Sequence, residues 1–173
     1  MRIYDGTPRQ GWEDALRAIG AYADDQQLKE LLFLELEGGF VLQGLGLQGG
    51  GADSDSFGTT VKRTYELTED QVAELTETAN AKRGSSPSDR PNADLTNYYE
   101  HAMRIIGAYI DSQKAHDVFF FEQDGSFVVR LFGSSATRAG HQLAEFTKDE
   151  ILAMIDAAPA YRNQPASEAT GAP

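Results

Sequence analysis

One stretch of this chain occurs twice, and that constrains the fold more than anything else in the sequence. Trp12-Glu13-Asp14-Ala15-Leu16-Arg17-Ala18-Ile19-Gly20-Ala21-Tyr22 returns as Tyr99-Glu100-His101-Ala102-Met103-Arg104-Ile105-Ile106-Gly107-Ala108-Tyr109. The register holds without a gap to Gly44 and Leu131, at an offset of about 87 residues, with roughly 14 of some 33 positions identical. Beyond the first loop the match resumes at a shorter offset, about 79 residues, pairing Leu67-Thr68-Glu69-Asp70-Gln71-Val72 with Phe146-Thr147-Lys148-Asp149-Glu150-Ile151. The first copy therefore carries the longer internal loop, Gly44 to Gly58, rich in Gly, Asp and Ser. These boundaries divide the chain into a first unit at residues 1–80, a flexible linker at 81–96, a second unit at 97–158 and a disordered tail at 159–173.

Each unit reads as α-β-β-β-α. Apolar residues recur at helical spacing in Trp12, Leu16, Ile19 and Ala23, and again in Tyr99, Met103, Ile106 and Ile110. Thr7, Pro8 and Gln10 supply start signals for the first helix, and Asn97 and Glu100 for its counterpart. Apolar runs at Leu31 to Glu37 and Val118 to Gln123 are strands, folded back at Gly38-Gly39 and Gly125-Ser126 into Phe40 to Leu47 and Phe127 to Phe132. A third strand alternates through Val61, Arg63 and Tyr65, and its weaker counterpart lies around Gly140 to Glu145. The last helix opens in both units with a capping box, Thr68 with Gln71 and Thr147 with Glu150. A hydrophobic staple accompanies each box, Leu67 with Val72 and Phe146 with Ile151.

The expected fold is α+β: two three-stranded antiparallel meanders with flanking helices, packed as a pseudo-two-fold pair. A unit of about 65 residues has a marginal core of its own, and a lone three-stranded sheet leaves two edges bare. Pairing relieves both problems. Gly20 and Gly107 fit such a pairing, because a mid-helix Gly costs roughly 1 kcal/mol against Ala unless a neighbour must come close. With Tyr22 and Tyr109 they are the candidate packing residues between the repeats.

Charge and composition exclude several functions. The net charge of −12 repels phosphate backbones and anionic membranes and favours basic partners. The chain has no cysteine, so disulfides, thiolate catalysis and cysteine-based zinc sites are excluded. The first ten residues carry Arg2, Asp5 and Arg9 and no apolar run, so no signal peptide is expected there. No apolar run approaches a membrane span, and a cytoplasmic protein is expected.

The motifs fail in context. Gly44-Leu45-Gly46-Leu47-Gln48-Gly49 matches the dinucleotide fingerprint as a string, but glycines and an Asp/Ser stretch follow where a helix N-terminus must hold the pyrophosphate. Asp53-Ser54-Asp55 begins like a calcium loop, but Phe57 and Thr64 stand where further oxygen ligands are needed. His101, His116 and His141 have no ligand-like spacing. The element order resembles that of double-stranded-RNA-binding domains. Those domains place lysines at the start of the last helix, where this chain has Thr68-Glu69-Asp70 and Thr147-Lys148-Asp149. Small acidic secretion chaperones also combine a helix, a meander and a helix, a likeness of element order that names no family.

The expected function is a non-catalytic protein-interaction or adaptor module. It has no cofactor, no metal and no nucleic-acid or membrane partner, and it acts as a monomeric chain whose halves form an intramolecular pair. The alternative is a small-molecule-binding or sensory module with a pocket between the repeats, lined by Tyr22, Tyr109 and Phe119 to Phe121. A flat apolar patch favours the first reading, and a closed cavity the second.

Overall fold

The computed structural model of the chain describes residues 11–47, 60–81, 97–113, 115, 117–132 and 141–157. Four helices and six strands follow in the order α1 (Trp12–Asp25), β1 (Lys29–Leu36), β2 (Gly39–Leu47), β3 (Thr60–Thr68), α2 (Glu69–Ala81), α3 (Tyr98–Gln113), β4 (Asp117–Gln123), β5 (Ser126–Phe132), β6 (His141–Phe146) and α4 (Lys148–Ala157). The architecture is mixed α+β, and all six strands form one antiparallel sheet in the order β3-β2-β1-β4-β5-β6. The sheet is continuous because β1 pairs with β4 through Leu32–Phe121, Phe33–Phe120 and Leu34–Phe119. Two of the four edges expected of separate meanders are thereby closed, leaving β3 and β6 outermost.

The helices lie on one face of this sheet. Trp12 meets Phe33 and Phe40 edge-on with ring centroids 6.2 and 6.0 Å away, and Phe33 stacks on Phe120 at 4.9 Å. Around these rings the helical stripes Trp12, Leu16, Ile19, Ala23 and Tyr99, Met103, Ile106, Ile110 are all buried. They join Leu31, Leu42, Val118, Phe127, Val129 and Leu131 in one core spanning both halves. Val72, Ile151 and Ile155 bring the last helices of each half into it.

Both capping boxes form. Gln71 N–H donates to Thr68 Oγ1 at 3.2 Å while Thr68 N–H donates to Gln71 Oε1 at 2.9 Å. Thr147 and Glu150 repeat the exchange at 3.3 and 2.8 Å, and these bonds to Thr147 hold the Glu150 carboxyl below its usual range.

Several local expectations are corrected. Helix α1 begins at Trp12 with Gly11, which has no side chain of its own to cap with, as N-cap; Thr7, Pro8 and Gln10, the expected start signal, lie outside the described residues. The Asn97 side-chain amide meets His101 Nε2 at 3.2 Å. The turns sit one residue earlier than expected. Leu36 pairs with Gly39 and Gln123 with Ser126, so the corners are Glu37-Gly38 and Asp124-Gly125. Gly38 and Gly125 take φ of +82°, the left-handed conformation that a glycine adopts without strain. Gly44 and Gly46 belong to β2, paired with Arg63 and Val61, so the loop is shorter than Gly44 to Gly58 and its first glycines are extended strand. Helix α2 runs to Ala81, into the expected linker. The rest of the loop, the linker and the tail lie outside the described residues.

Candidate functional site

Two surfaces carry the chain's unusual side chains: the contact between the halves, and the sheet face opposite the helices.

Helix α1 packs chiefly on α3. At Gly20 an added Cβ would overlap the backbone carbonyl of Tyr99, and at Gly107 it would overlap that of Trp12. No side chain fits at either point, so these glycines set how closely the helices approach. The Asp24 carboxylate accepts the Tyr99 and Glu100 amides at 3.1 and 2.8 Å, and Asp111 accepts those of Trp12 and Glu13 at 2.9 and 3.0 Å. Each aspartate thus caps the N-terminus of the other half's helix, satisfying donors that the helix itself leaves open. Burial pushes the Asp24 carboxyl up to about 7 against the lowering pull of its two amide bonds. Asp111 is raised as well, for the same reason. Arg17 Nε binds Glu100 Oε1 at 3.1 Å and Arg104 Nε binds Glu13 Oε1 at 2.9 Å. Both pairs are largely buried, where the cost of desolvation offsets much of their attraction. Every contact in this set has its counterpart at the offset of about 87 residues.

Among the described residues, the register slip of β1 has no equivalent in β4. Between Lys29 and Leu32 strand β1 slips register, with Glu30 at φ +53°. This bulge turns the Leu31 amide onto the buried Glu122 carboxylate at 3.0 Å. Glu122 also accepts Tyr99 Oη–H at 2.9 Å and Gly125 N–H at 2.6 Å. Burial beside this carboxylate raises the Tyr98 and Tyr99 phenols well above their ordinary range.

Tyr22 packs edge-on against Tyr65 at 5.3 Å, and Tyr109 against Phe146 at 5.1 Å, each inside its own half. Burial raises both phenols. Phe120 is in the core, whereas Phe119 and Phe121 point away from the helices. The five aromatic residues expected to line one pocket are therefore spread over four places, alternation along β4 sending Phe120 to one face and Phe119 and Phe121 to the other. His101 is buried, His116 lies outside the described residues, and no group of three His, Asp or Glu among the described residues is arranged to hold a metal ion.

The outer face of the sheet is the second surface. Two rows of Cα partners cross it. From β3 to β6 one row runs Glu66, Val41, Leu34, Phe119, Arg130, Leu143. The other runs Thr64, Gln43, Leu32, Phe121, Val128, Glu145. Their centre is apolar, with the Phe119 and Phe121 rings 6.2 Å apart. Leu36, Leu45, Phe121, Phe132 and Leu143 are exposed large apolar side chains, Leu36 and Leu143 by half or more of their surface. Among the described residues no helix covers this face. Sequence reasoning missed it because Leu31-Leu32-Phe33-Leu34 reads as one uninterrupted apolar run, the pattern of a strand buried on both sides.

No helix of the described residues is long and apolar enough to cross a membrane. No family model, no curated protein and no solved structure matches this chain.

Proposed function

We propose that the chain is a non-catalytic protein-interaction module, built from two copies of one α-β-β-β-α unit packed about a pseudo-two-fold axis, which docks a protein on the open face of its sheet. The duplication is supported by the recurrence of the caps, ion pairs and glycine contacts at one offset. It is supported too by the β1–β4 pairing, in which Phe33 faces its own counterpart Phe120 while Leu32 and Leu34 face the counterparts of each other. An isologous contact has this form.

The docking reading rests on one observation. The open face keeps leucine, valine and phenylalanine at its centre, where an antiparallel sheet exposed to water on one side ordinarily alternates to polar residues. Contiguous apolar surface of this kind marks an interaction site. An open sheet face without convergent polar groups suits a protein surface better than a small ligand.

Site-specific photo-crosslinking in the native host tests it. A photo-reactive residue at Phe121, on the open face, is expected to capture protein. The same residue at the exposed Glu77 of α2 is expected to capture none. Equal capture from both positions, or none from Phe121, refutes the reading.

A further inference from the structure

We infer that the occupant of the open face is a second copy of this chain, stacked sheet on sheet in an isologous dimer. The inference rests on the docking reading and names the partner that the reading leaves open. It replaces the monomeric chain expected from the sequence.

The size of the face favours self-pairing. Six strands about 4.8 Å apart, each with about seven residues at about 3.3 Å, make a face of roughly 29 by 23 Å. With a two-fold axis along β1 five of these strands overlap and β6 overhangs, so the two copies remove about 1,100 Å² from water, above the roughly 1,000 Å² that a specific interface needs.

The order of side chains across the face also favours self-pairing. From β3 to β5 the central row reads Glu66, Val41, Leu34, Phe119, Arg130. The acid and the base stand two strands to either side of Leu34. A two-fold axis lying along β1 lays this row on itself in reverse. Leu34 then meets Leu34 of the second copy, Val41 meets Phe119, and Glu66 meets Arg130, twice in each dimer. The neighbouring row turns about Leu32. From β3 to β5 its members Thr64, Gln43, Phe121 and Val128 carry no charge, and Glu145 on β6 overhangs, so these two rows bring no like charges together. Moving the axis half a strand, to the β1–β4 seam, would set Arg130 on Val41 and Glu66 on Leu143, burying both charges unpaired. Of these two registers, the row is self-complementary in the one centred on β1.

Like charge opposes the pairing at long range, since each copy carries −12. Added salt screens that repulsion, so the dimer is expected to tighten as ionic strength rises, whereas a basic partner would be released.

Sedimentation equilibrium of the full chain tests the inference, with circular dichroism confirming that each variant is folded. The wild-type chain is expected to dimerise in the micromolar range. Glu66→Arg and Arg130→Glu are each expected to weaken association by about tenfold or more, and the double reversal to restore it. A wild-type chain that stays monomeric, or a double reversal as weak as the single ones, overturns the inference. A monomer that still crosslinks a different protein from position 121 also overturns it and leaves the docking reading standing.

Discussion

Replacing Gly20 by Ala tests the helix contact with the smallest possible change. On a free helix surface this substitution stabilises by about 1 kcal/mol, because Ala loses less backbone freedom. Here the added methyl would overlap the Tyr99 carbonyl carbon and oxygen and crowd the Glu100 nitrogen, all backbone atoms that cannot rotate away. Relief requires α3 to shift as a body, and overpacking of this kind costs about 1–3 kcal/mol. The shift also draws the Tyr99 and Glu100 amides off Asp24, where they now sit at 3.1 and 2.8 Å. Hydrogen bonds to a charged acceptor are worth about 1.5–3 kcal/mol each, so weakening both outweighs the gain in propensity. A net loss of about 2 kcal/mol or more is expected, read as a lower urea midpoint at unchanged slope. Gly107→Ala should match it, because its methyl meets the Trp12 carbonyl in the same way. A midpoint that stays put or rises for either variant would refute the close approach of α1 and α3.

Asp24→Asn should change how stability depends on pH. A carboxyl that titrates near 7 in the folded chain and near 4 when unfolded favours folding most below pH 4. That contribution is lost as pH rises to about 7 and changes no further above it. The wild type minus variant difference in urea midpoint should therefore fall across this window; a difference that rises or stays flat contradicts the burial of Asp24. Glu122→Gln should cost about 2 kcal/mol, since an amide group is turned toward one or more of the Leu31, Tyr99 and Gly125 donors. Thermal unfolding reads this, and an unchanged melting temperature would mean that the carboxylate does not hold the bulge.

What was legible in the sequence was local. The apolar stripes of α1 and α3 and the boxes at Thr68 and Thr147 depend on residues within a turn or two of one another, and they appear where periodicity and capping chemistry place them. The helix starts at Trp12 and Tyr98 did not, because their caps come from the far half of the chain. A signal was present nonetheless. Asp24 and Asp111 stand in the last turn of their own helices, where an acid is unfavourable, and both halves carry it. That cost makes sense once each carboxylate faces the N-terminus of the opposite helix. The bulge at Glu30 was also invisible, since nothing in Lys29-Glu30-Leu31 announces a left-handed residue. The open face was hidden in plain composition. An apolar strand run does not say which of its two sides will be covered.

The claim on which the rest depends is that the two halves form a single structure across the β1–β4 and α1–α3 contacts. Cutting the chain within residues 82–96 and expressing each half alone tests it directly. Separation uncovers Phe33, Phe120, Trp12 and Tyr99 and removes the aspartate that caps each first helix. Neither half is then expected to be a stable folded monomer, and mixing the two should restore a one-to-one complex with the circular dichroism of the intact chain. Two halves that are each monomeric, and that melt at the temperature of the whole protein, would contradict the account.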